Sequence, residues 1–84
     1  MPSPFATLVR SELAQARSKH ANQHSAHESY AVILEEVEEF WNEVRLQTDQ
    51  RSKMRMLREL TQIGAMAQRA AEDLGLIDHD RELL

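Results

Sequence analysis

The chain reads as an all-α protein, an antiparallel bundle of about three main helices completed by oligomerisation. Three observations predict this. Two Gly and two Pro in 84 residues leave few of the turns a sheet needs. Apolar residues recur at steps of three and four along three separate stretches. Finally, so small a chain has a limited core, and without Cys it lacks a disulfide or thiolate metal site to compensate, which leaves self-association to supply the rest.

Ser3-Pro4 supplies an N-cap followed by Pro at the first helical position, and Phe5, Leu8, Val9, Leu13 and Ala16 follow at helical spacing. Helix one is therefore expected from about Pro4 to about Lys19. A polar connector, Ala21-Asn22-Gln23-His24, separates it from Ser25-Ala26-His27-Glu28, which has the form of a capping box. Helix two is expected from Ser25 to about Leu46, with Tyr30, Ile33, Leu34, Val37, Phe40, Trp41 and Val44 as its core stripe. Thr48 or Asp49 is expected to cap helix three, whose apolar line Met56, Leu60, Ile63, Ala67, Ala70 and Leu74 ends at the Gly75 C-cap. A short tail follows, with a last turn expected after Asp78. The whole chain is one domain.

A formal net charge of −4 argues against general nucleic-acid binding, although Arg51, Lys53, Arg55 and Arg58 make a local basic run. No stretch has the apolar length of a membrane span, and the N-terminus lacks the layout of a signal peptide. A cytoplasmic location is expected.

At about 100° per residue, Glu35 points away from the apolar stripe of helix two, while Glu36, Glu39 and Glu43 follow one flank. On helix three Glu59 falls at the margin of the apolar arc and Gln62 just outside it. A carboxylate facing a helix seam is costly unless paired, hydrogen-bonded or bound to a metal. Antiparallel packing across a two-to-three-residue connection brings Glu36 and Glu39 opposite Glu59 and Gln62. Four oxygen-bearing side chains then converge. The bland readings are a solvated acidic face for helix two and an ion pair of Glu59 with Arg55, Arg58 or a basic residue of another chain.

The string from His27 to Trp41, with Glu35-Glu36-Val37-Glu38-Glu39 at its centre, followed by Glu59-Leu60-Thr61-Gln62, resembles the MazG-type all-α nucleoside triphosphate pyrophosphohydrolases. Their pattern is EExxE, a spacer, then ExxD. Glu35, Glu36 and Glu39 match the first half and Glu59 opens the second; Leu74 to Asp78 resembles the family's exit from that helix. The resemblance implies catalysis through Glu35, Glu36, Glu39 and Glu59. It implies Mg²⁺, with Mn²⁺ as a substitute, held by Glu36, Glu39, Glu59 and Gln62, and cleavage of a nucleotide to monophosphate and pyrophosphate. It also implies a homodimer or homotetramer.

Gln62 departs from the pattern, standing where the family has Asp and removing one negative charge. Three outcomes stay open: a weaker or altered catalyst, a site completed by another acid such as Glu43 or Asp73, or a nucleotide binder without turnover. Lys53, Arg55 and Arg58 are the candidate phosphate donors, with Arg69 behind them. His20, His24 and His27 straddle a helix break, which argues against a preformed zinc site. Phe40 and Trp41 suit a core or subunit interface better than a base-stacking role. Met54, Leu57 and Ala71 form a second apolar face on helix three, where Gly64 would let another helix approach closely.

Overall fold

A computed structural model describes residues 3–77; the last turn expected after Asp78 lies outside the described residues. Among the described residues three helices form, α1 (Pro4–Lys19), α2 (Ala26–Val44) and α3 (Lys53–Asp73), with a 3₁₀ turn at Thr48–Gln50 before α3. The first two starts follow their expected caps. Ser3 Oγ accepts from the Ala6 N–H at 3.0 Å, and Ser25 Oγ from the Glu28 N–H at 3.1 Å. Glu28 turns back as in a capping box, although it accepts the His24 N–H rather than that of Ser25.

The start of α3 differs from expectation. Its cap is Ser52, whose Oγ accepts from Arg55 N–H at 3.2 Å, and the segment around Thr48 and Asp49 forms the 3₁₀ turn instead. Side chains explain the longer connection. Arg51 Nε and Nη2 both donate to the Val44 carbonyl, at 3.0 and 2.6 Å, closing the last turn of α2 two residues before Leu46. Glu43 then accepts the Ser52 N–H at 2.7 Å and fixes where α3 begins. At the far end Gly75, with φ 70°, completes a Schellman motif: its N–H donates to the Glu72 carbonyl and that of Leu76 to the Ala71 carbonyl.

Each helix reverses the direction of the one before it, and α3 lies between the other two, which make no helix-helix contact with each other. The α1–α3 approach depends on Gly64, where a Cβ would stand 3.0 Å from Val9 Cγ2 and 3.6 Å from the Phe5 ring. The helix that Gly64 admits is thus one of the same chain. Val9, Leu13, Ala65 and Met66 form the core, with Ala16, Val32 and Ile33 packed on it.

This core is thin. No large side chain is fully buried among the described residues, and the expected core stripe of α2 divides in two. Ile33 packs inward, whereas Tyr30, Leu34, Val37 and Trp41 are exposed, Tyr30 by 66% and Trp41 by 56%. The reason is angular: α3 occupies the face of Ser29, Ile33 and Glu43, and none of the described residues covers the neighbouring face. No helix is long and apolar enough to cross a membrane among the described residues.

Candidate metal centre and adjoining cavity

The antiparallel α2–α3 seam brings Glu36, Glu39 and Glu59 together, with one carboxylate oxygen from each within 4.8 Å of the others. Among the described residues no other set of acids and histidines converges in this way. Glu36 and Glu59 are half-buried, and Glu39 is exposed. Burial, followed by repulsion from Glu39 and a hydrogen bond shared with it, pushes the Glu36 carboxyl up to about 7. Burial and a hydrogen bond with Glu39 raise Glu59 as well, against the pull of Arg58.

Gln62 joins the same cluster. With its NH₂ toward the acids, Nε2 donates to Glu36 Oε2 at 2.9 Å and to Glu59 Oε2 at 3.3 Å; with the amide turned over, its carbonyl faces them. The set suits a hard cation chemically, being three carboxylates and an amide that can offer oxygen. An octahedral ion with bonds of about 2.1 Å spaces its ligand oxygens about 3–4 Å apart, so small side-chain rotations close the cluster on it.

Glu35 is exposed and outside the cluster, as its angle predicts. Neither Glu43 nor Asp73 completes the set, because each is held elsewhere. Glu43 Oε2 accepts from Arg55 Nε at 3.0 Å, and the Arg55 and Ser52 donors lower its pKa. Burial works to raise Asp73, but the Gln23 N–H and Arg17 outweigh it and hold the carboxyl below its ordinary value.

The expected phosphate donors fare differently. Arg55 is engaged by Glu43 and by the Gln50 carbonyl, so the pairing that shapes the connection withdraws it from the role. Arg69 is likewise withdrawn: it is buried, donates to the Ala21 carbonyl and lies 3.6 Å from Asp73. Lys53 and Arg58 remain exposed, and the charge of Arg58 favours the ionised form of Glu59.

A cavity of about 590 Å³, which no local pattern announces, lies beside the acids, walled by the end of α1, the connector, the start of α2 and α3. Glu36 and Gln62 belong to its wall. His20 and His24 line it, and His27 lies outside. The connector is pinned rather than loose. Asp73 accepts the Gln23 N–H at 2.8 Å, Arg17 spans Asn22, Glu72 and Asp73, and the buried Gln23 accepts from Ser29 Oγ. The periodicity of α3 could have hinted at this, since Arg69 and Asp73 are paired at i, i+4.

Compared with known proteins, the chain matches no family model, no curated protein and no solved structure.

Proposed function

We propose that this chain is a Mg²⁺-dependent nucleoside triphosphate pyrophosphohydrolase of MazG-like type, with Mn²⁺ able to substitute. The observation that carries the reading is the convergence of Glu36, Glu39 and Glu59 from two helices, in the positions the sequence resemblance assigns to metal ligands. A bound divalent cation supplies the positive charge that stabilises phosphate oxygens and makes water a better nucleophile. Glu36, Glu39 and Glu59 hold that charge in place, and the carbonyl of Gln62 is a fourth oxygen donor once its amide turns over. Arg58 and Lys53 lie at the start of α3 and are the chain's donors to the phosphates. Glu35 is exposed and outside the cluster, and in this reading its part is indirect, as a proton acceptor acting through water.

The working form is at least a homodimer, in the cytoplasm. Tyr30, Leu34, Val37 and Trp41 run at steps of four, three and four along α2, a seam of the kind that pairs helices.

A second reading is favoured by one observation. The Gln62 amide satisfies Glu36 and Glu59 with neutral donors, which fits an oligomeric helical module that binds nucleotides without cleaving them. Incubation with a panel of nucleoside triphosphates and Mg²⁺ or Mn²⁺, following pyrophosphate, separates the two. Release that is abolished by Glu59→Gln supports the hydrolase. Absence of release together with absence of a metal-dependent thermal shift leaves the module.

A further inference from the structure

Resting on the nucleotide reading above, we propose that the cavity beside the acids receives the nucleobase, and that it selects bases bearing an exocyclic amine over uracil and thymine. Its volume of about 590 Å³ falls within the range of small-molecule sites. Because Glu36 and Gln62 are shared by the cavity wall and the acid cluster, a ligand whose phosphates meet the cluster has its ring directed into the cavity.

The lining fits a ring better than a phosphate. Val32 and Met66 offer apolar surface to a ring face, while Glu12, Glu28 and Glu35 outnumber Lys19 and an Arg69 already engaged by Asp73 and the Ala21 carbonyl, leaving a wall with an excess of negative charge. Those carboxylates are hydrogen-bond acceptors and suit an amine. Gln23, in the same wall, supplies the opposite group once its side chain turns toward the cavity. It is 4% exposed, its Oε1 accepts from Ser29, and its buried Nε2 has no acceptor. Leaving such a donor unpaired is costly, and a ring nitrogen or carbonyl relieves the cost. Cytosine, adenine and guanine each combine an amine with an acceptor. Uracil and thymine set a carbonyl on both sides of their single N–H, placing acceptors against carboxylates.

The test uses the full chain with EDTA, so that metal binding plays no part. The five 2′-deoxynucleosides are titrated into ¹⁵N-labelled protein and followed by amide chemical shifts. Deoxycytidine, deoxyadenosine and deoxyguanosine should shift the Gln23 side-chain amide and the connector saturably, and bind roughly tenfold more tightly than thymidine or deoxyuridine. Gln23→Glu, which keeps an acceptor for Ser29 and loses the free donor, should weaken the favoured nucleosides about tenfold. Ala21→Trp at the exposed rim should weaken them by obstruction, and it decides the matter if Gln23→Glu does not fold. Equal binding of thymidine, shifts confined to other surfaces, or no shifts at all would overturn the proposal. Nucleoside binding as expected without pyrophosphate release would sink the hydrolase alone.

Discussion

Gln62 faces Glu36 across the α2–α3 seam, its amide within 2.9 Å of Glu36 Oε2 and its other contact being Glu59. An amide here does part of the work of a cation, because each N–H turned toward an acid lessens the repulsion that crowding the carboxylates creates.

That crowding makes the metal-free protein sensitive to pH. The Glu36 carboxyl is raised to about 7 and Glu59 is raised with it, so their contribution to stability is complete below the ordinary carboxylate range and is lost as pH climbs through about 7. Asp73 and Glu43 are lowered and act in the opposite sense, losing their contribution only in acid. Melting followed by circular dichroism in EDTA should therefore show Tm falling between pH 5 and pH 8. After allowance for solvent screening the fall corresponds to about 1 kcal/mol, or roughly 4–8 °C. Glu36→Gln should flatten the profile.

Gln62→Asp replaces a donor with a fourth carboxylate. Titration calorimetry should show Mn²⁺ bound roughly tenfold more tightly than by the parent protein, since affinity follows ligand charge. In EDTA at pH 8 the same variant should melt lower than the parent.

Asp73 collects Gln23 N–H, Arg17 and Arg69 at a carboxylate only 2% exposed. Asp73→Ala leaves these donors unpaired and should cost about 3 kcal/mol in urea unfolding. Asp73→Asn, which retains an acceptor, should cost less.

Trp41→Glu places a charge in the exposed stripe of α2. Sedimentation equilibrium should find the parent protein at least dimeric at micromolar concentration and the variant dissociated, with Kd raised about a hundredfold. An equally associated variant would remove α2 from the interface.

The three helices were legible because their signals are local: Ser3-Pro4, the Ser25 cap and Gly75 act within a turn of themselves. The start of α3 was not, since Thr48 and Asp49 are adequate caps by themselves and lose to Ser52 only through Glu43 and Arg51, whose bonds reach seven to nine residues along the chain. The meeting of Glu36, Glu39 and Glu59 was legible from helical angle plus antiparallel pairing, both of which occur. The fates of Arg55 and Arg69 were not, because a positive residue near acids can serve a ligand or the fold, and only partner geometry distinguishes them. Likewise, periodicity marked Tyr30, Leu34, Val37 and Trp41 as apolar without saying whether one chain could reach them.

Since α1 leans on α3 and never on α2, every clustered glutamate belongs to the α2–α3 hairpin, while α1 contributes only the opposite bank of the hollow. Drift along Gln15 and Lys19 can therefore recut that bank without disturbing the acids. Two properties that most small proteins must alter together are, in this topology, free to diverge separately.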